Sequence, residues 1–122
     1  MNSILVIDDD SAILSVLQQM LEGAGYHVFV ATDGREGEAL YRDNKIDLLI
    51  TDMIMPEQEG LQTIRSLKKD FPDIKVIAMS GGGINDGSGY LDLAKHMGAS
   101  SVLSKPIRIA ELLQAVKDVL GE

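Results

Sequence analysis

The chain contains no cysteine and no tryptophan, only three prolines, and five aromatic residues other than histidine (two Phe and three Tyr). Without cysteine there is neither a disulfide framework nor a thiolate metal site, which fits a reducing, cytoplasmic setting. Basic residues are also few: 11 Lys and Arg stand against 19 Asp and Glu, a net charge of −8. Such a balance argues against direct binding of nucleic acid or of an anionic membrane. Long apolar runs are missing too. None approaches the ~20 residues needed to span a bilayer. The first apolar run has no basic residue before it and stops at Asp8, so no signal peptide is expected there.

What is present is 45% hydrophobic residues over 122 positions, enough for one buried core and one domain, expected to occupy residues 1–122. Short apolar runs alternate with helical periodicity. Residues 3–7, 27–31, 48–51, 75–79 and 101–104 read as buried strands. Between them, Ile13, Leu14, Leu17, Met20 and Leu21 recur at helical spacing, as do Leu61, Ile64 and Leu67. A short helix is expected around residues 36–41, and others carry Leu91, Leu93, Ala94 and Met97, then Ile109, Leu112, Leu113, Val116, Val119 and Leu120. Asp10 or Ser11 is the expected cap of the first helix, with Gly23 and Gly25 at its end. Five strand–helix repeats of this kind predict an α/β fold, a parallel sheet with helices on both faces.

Parallel sheets build their sites at the carboxyl ends of strands. Asp8 and Asp9 follow the first run, Asp52 the third, Ser80 the fourth and Lys105-Pro106 the fifth. An isolated Asp there is most often a turn or cap residue, and Lys-Pro alone marks only a turn. Together the residues match one chemistry. Three crowded carboxylates repel one another unless a cation intervenes, and a hard divalent ion such as Mg²⁺ suits all-oxygen ligands beside phosphate. Asp52 can then accept a phosphoryl group as an acyl phosphate. Ser80 can donate to one phosphoryl oxygen, and Lys105 can bring a positive charge to another.

Along nearly its whole length the chain resembles the receiver domain of two-component response regulators. The resemblance is carried by Ile4-Leu5-Val6-Ile7-Asp8-Asp9-Asp10, by Thr51-Asp52-Met53-Ile54-Met55-Pro56 with Gly60, by Ala78-Met79-Ser80, and by Gly98-Ala99 followed by Lys105-Pro106. It implies a flavodoxin-like doubly wound (βα)5 sandwich of five parallel strands in the order 2-1-3-4-5. It implies Asp52 as phosphoacceptor, Asp8, Asp9, Asp52 and the backbone carbonyl of Ile54 as ligands of Mg²⁺ or Mn²⁺, Ser80 as switch hydroxyl and Lys105 as phosphate contact. The donor would be a sensor histidine kinase or a histidine phosphotransfer protein, and a downstream protein would read the switched surface. The resemblance implies a monomer or a phosphorylation-dependent dimer, and a phosphoacceptor that catalyses its own phosphorylation and dephosphorylation rather than a conventional turnover enzyme.

Departures from the family pattern carry their own expectations. Val102 stands where the family often has an inward-turning Tyr or Phe, and Ile107 where Phe is common. Gly81 leaves space beside the hydroxyl, and the glycine-rich residues 81–89 read either as a loop that orders on phosphorylation or as a surface insertion. Ile54 and Gly82 offer no carboxylate or amide to orient an attacking water, which predicts slow to moderate self-dephosphorylation. The rivals are an aspartate-nucleophile phosphatase using Asp8, which lacks the expected Thr at position 12, and a constitutive binding module, which has no need of the full set of acids and lysine. His27 and His96 are expected at the surface.

Overall fold

The computed structural model describes residues 2–52, 59–80 and 98–122, with the side chains of residues 59–61 excepted. The residues at positions 81–89, the helix expected around Leu91 to Met97, Ile54, Met55-Pro56, Gly82 and His96 lie outside the described residues.

Five strands are described: β1 (Ser3–Ile7), β2 (His27–Ala31), β3 (Leu48–Asp52), β4 (Val76–Ser80) and β5 (Ser101–Ser104). They form one sheet in the order β2-β1-β3-β4-β5, with every pairing parallel. The central strands are covered on both faces, which is why they read as near-continuous apolar runs rather than alternating ones. Ile4 to Ile7 and Leu48 to Ile50 are wholly buried.

The two-residue period of a strand sends successive side chains to opposite faces. Ile4, Val6, Leu48, Ile50, Ile77 and Met79 accordingly build one half of the core. Leu5, Ile7, Leu49, Val76 and Ala78 build the other. Helix α1 (Ser11–Gly23) packs Leu14, Leu17 and Leu21 onto the first half, and α4 (Ile109–Leu120) adds Leu112, Ala115 and Val116. Helix α3 (Glu59–Asp70) packs Ile64 and Leu67 onto the second. Helix α2 (Gly34–Asp43) lies on that same side, and Gly37 permits its close approach. A Cβ at position 37 would collide with the Ile7 side chain.

Helix α2 runs longer at both ends than the residues 36–41 expected from periodicity. At the carboxyl end both the backbone N–H and the side-chain amide of Asn44 donate to the Leu40 carbonyl, and at the amino end the cause is a reciprocal cap. Asp33 Oδ1 accepts from the Glu36 N–H at 2.8 Å, while Glu36 Oε1 accepts from the Thr32 N–H at 3.0 Å. Of the two expected caps for α1, Asp10 fills the role, accepting from the N–H groups of Ala12 and Ile13. The helix is closed by Gly25 at φ 98°, a left-handed conformation that costs glycine nothing. His27 is exposed on the edge strand β2, as expected.

Candidate functional site

The parallel register brings four strand ends to one edge of the sheet. Ile7 pairs with Thr51, Asp52 with Met79, and Ser80 with Ser104. Asp8 therefore emerges beside Asp52. The ladder runs one residue beyond β5, because the Lys105 N–H donates to the Ser80 carbonyl at 2.7 Å. Lys105 is thus carried to the same end as the two acids, and the Lys105–Pro106 peptide bond that follows is cis.

Burial separates the acids. Asp8 is fully buried and Asp52 is 3% exposed, whereas Asp9 lies on the surface. One carboxylate oxygen from each lies within 4.8 Å of the others. The backbone explains the arrangement of the first pair. Asp8 Oδ1 accepts the Asp10 N–H at 2.9 Å, which fixes the Asp8 carboxylate at the point where the chain turns from β1 into α1.

The described positive charge in the pocket is Lys105. Its Nζ lies 2.6 Å from Asp8 Oδ2 and 3.1 Å from Asp52 Oδ2. Burial alone would push this ammonium down, but the hydrogen bond to Asp8 and the negative charge of Asp52 outweigh it. The net effect raises the lysine above its ordinary value, so it is fully charged at neutral pH.

Ser80 is fully buried, and its hydroxyl finds no hydrogen-bond partner among the described residues. A buried hydroxyl left unpaired carries a desolvation cost, and such exceptions reward an explanation. Ser80 ends β4, the strand paired with β3, which ends in Asp52.

The donor set suits a hard divalent cation. Three carboxylate oxygens, two of them from buried residues, offer oxygen ligands and excess negative charge, and no described ligand is a soft sulfur or an imidazole.

Two residues that depart from the family pattern, Val102 and Ile107, pack against the core. Val102 is half-buried and packs with the Leu5 and Ile7 half of the core. Ile107 packs against the Ile4 and Val6 half. Asp8, Asp9, Asp52 and Lys105 are brought together, with Ser80 on the adjoining strand end. Ile54 lies outside the described residues. Sequence reasoning missed the pairing of Lys105 with Asp8. The signal available was the buried position of Asp8 directly after an all-apolar strand, since a buried carboxylate needs a partner.

The sequence pattern of the response regulator receiver domain matches residues 4–117. The chain belongs to the response regulator receiver domain family. Members of this family are phosphoacceptor domains of two-component signalling rather than conventional turnover enzymes. The receiver domain is 33% identical over 120 residues to the transcriptional regulatory protein CpxR of Escherichia coli, covering 98% of this chain and 50% of that protein. It is 35% identical over 120 residues to the transcriptional regulatory protein GlrR of Escherichia coli, covering 98% of this chain and 26% of that one. The chain thus spans half or less of the length of these curated relatives. A receiver domain protein from Clostridium thermocellum superposes with a TM-score of 0.91 at 35% identity, covering 99% of this chain and 95% of that one. The beryllofluoride-activated receiver domain dimer of NtrC4 superposes with a TM-score of 0.88 at 30% identity, covering 99% and 98%. The five-stranded order 2-1-3-4-5 expected from the resemblance is the order observed. No helix among the described residues is long and apolar enough to cross a membrane.

Proposed function

We propose that this receiver domain, residues 1–122, takes a phosphoryl group from a phosphohistidine onto Asp52. The donor is a sensor histidine kinase or a histidine phosphotransfer protein. An Asp52 oxygen attacks phosphorus as the P–N bond breaks; the departing imidazole nitrogen keeps the electron pair, and the product is an acyl phosphate. The observation that carries this reading is the buried Asp52 carboxylate in contact with Lys105, beside a buried serine hydroxyl lacking an acceptor among the described residues.

The receiver's own groups share the work. Lys105 is already charged and within reach of Asp52, so it can follow a phosphoryl oxygen as negative charge moves onto that group. Ser80 donates its O–H to another oxygen and so loses its unpaired state. Asp8, Asp9, Asp52 and the Ile54 carbonyl would hold Mg²⁺ or Mn²⁺. When bound, that ion supplies charge neutralisation and alignment of the phosphoryl oxygens. The Lys105 N–H to Ser80 carbonyl bond couples the two phosphate-sensing residues, so the surface around β5 and α4 changes population when Asp52 is modified. A downstream protein reads that surface.

The charge of −8 supports a protein target for this domain rather than direct contact with nucleic acid or membrane. CpxR and GlrR, which are transcriptional regulatory proteins, are longer than the region matched here. The proposed partners support a cytoplasmic location. Ile54 and Gly82 support slow to moderate self-dephosphorylation, and decay of phospho-Asp52 within seconds would overturn that expectation. Incubation with acetyl phosphate and Mg²⁺ followed by intact mass measurement tests the whole reading. Gain of one phosphoryl group by the wild type and none by Asp52→Asn is expected. Equal labelling of both, or of neither, overturns it. Size-exclusion chromatography of the two forms decides between a monomer and a phosphorylation-dependent dimer.

A further inference from the structure

The acid pocket occupies one end of the sheet, and the opposite end has a cavity of its own. Residues just ahead of three strands line it: Asn2 before β1, Asp47 before β3 and Lys75 before β4. The helices run back against the parallel strands, so the carboxyl ends of α2, α3 and α4 reach the same place, through Tyr41, Asp70 and Leu120. The cavity measures about 470 Å³. Asp47 precedes β3 and Asp52 ends it, which puts the two roughly 16 Å apart at the rise of an extended strand.

The lining favours a positive charge with an apolar neighbour. Three carboxylates, Asp47, Asp70 and Asp73, face one ammonium, Lys75. Asp70 is already answered by Arg42 at 2.8 Å. Asp47 Oδ2 accepts the Ser3 N–H at 2.8 Å, a bond that fixes the carboxylate but brings no positive charge. Asp73 forms no ion pair among the described residues. Helix carboxyl ends add partial negative charge. Burial, and then the Asp47 charge, push the Tyr41 phenol above its ordinary value, so the field of that carboxylate reaches the cavity wall. The rim also shows how a cation is received. The Arg42 guanidinium holds Asp70 and lies 5.6 Å over the Phe71 ring, which Tyr41 meets edge-on at 5.1 Å. Phe71 still keeps 37% of its surface exposed.

We infer that this cavity is a second docking site, taking a short extended segment of a partner protein in which a basic side chain stands beside an apolar one. The arginine or lysine meets Asp47 and Asp73, and its apolar neighbour covers Ile46 and Leu120. A bare metal ion is a poorer fit. Among the described residues the carboxylates that converge closely enough for one are Asp8, Asp9 and Asp52, at the other end. An acidic segment is repelled. Because the cavity lies away from Asp52, its occupancy is the same before and after modification of that residue. The partner is thus tethered in both states, and the Asp52 end supplies the switch.

The test is an NMR titration of the whole isotope-labelled chain with the capped peptide GRLRG, with GQLQG and spermidine as comparison probes. Saturable amide shifts centred on Ile46, Asp47, Asp73 and Lys75 are expected for GRLRG, with much weaker binding of GQLQG. Joint Asp47→Asn and Asp73→Asn substitution should lower the affinity about fivefold, and Lys75→Gln should raise it about twofold, as befits exposed charge pairs. Circular dichroism checks that each variant is folded. Shifts centred on Asp8, Asp9 and Asp52, or spread over the surface without saturation, overturn the inference. Equal binding of GQLQG overturns it too, as does spermidine binding there while GRLRG does not, which makes the cavity a site for a free amine. An affinity for GRLRG that changes several-fold on addition of acetyl phosphate and Mg²⁺ refutes the independence of the two ends.

Discussion

The backbone N–H of Lys105 donates to the carbonyl of Ser80 across 2.7 Å, so the two residues proposed to touch phosphate are adjacent rungs of one ladder. Neither is held by a free loop. A displacement of one strand end is felt at the other, which gives the pocket a short mechanical path from the β4 end to α4.

Ser80→Ala separates cost from use. The hydroxyl is buried with no partner among the described residues, so its removal should leave the unphosphorylated domain as stable as wild type or more stable by about 1 kcal/mol. The extra stability that wild type gains on phosphorylation should shrink in the variant. Urea unfolding with and without acetyl phosphate measures both. A clear loss of stability in the unphosphorylated variant counts against the unpaired state.

Gly37→Ala tests the close approach of α2 to β1. The added methyl meets the Ile7 side chain, and overpacking of this kind costs about 1–3 kcal/mol. Gly23→Ala, where a Cβ meets nothing, is the control and should not destabilise through crowding. Ile7→Val should recover part of the loss in the double variant. Additive effects of the two substitutions would refute the contact.

The Lys105 ammonium predicts an alkaline limit in the metal-free domain. Its folded value is raised above the ordinary 10.5, so the protonated lysine stabilises the fold. That contribution is fully present below pH 10.5 and is lost as pH rises through the higher folded value. Tyr26 and Tyr41 are raised as well, both chiefly by burial, and act in the same direction. Lys105→Met keeps the tyrosines and removes the lysine. Its stability should therefore fall less steeply than that of wild type above pH 10.5 in denaturant titrations at fixed salt. Identical slopes would mean that the lysine is not the titrating group.

Asp9→Asn should weaken Mg²⁺ binding while leaving stability in the absence of metal within about 0.5 kcal/mol of wild type, because Asp9 is at the surface and bears on the cation rather than on the core. Paired calorimetry and melting curves read the two effects. Undiminished Mg²⁺ affinity would remove Asp9 from the ligand set.

Much of this architecture was legible in the chain. The all-apolar segment Ile4 to Ile7 could only be a strand covered on both faces, and the following acids could only lie at its carboxyl end. Strand order was a different matter. Periodicity predicts a parallel sheet but not that β1 lies between β2 and β3; the family resemblance supplied that. The start of α2 was hidden because it depends on the reciprocal bonds of Thr32, Asp33 and Glu36 rather than on an apolar stripe. The Asp8 to Lys105 pairing was hidden for another reason. The two residues are 97 positions apart, and although a buried acid after an all-apolar strand announces that it needs a partner, it does not say which one.

The strict alternation of β3 gives Asp52 a single allowed aspect. Thr51 and Asp52 are both buried, yet as neighbours on a strand they look to opposite sides of the sheet. One extra residue threaded into that strand would rotate Asp52 out of its pocket and present a different side chain to Lys105. Such a protein could retain its shape and still be deaf to the proposed phosphodonor.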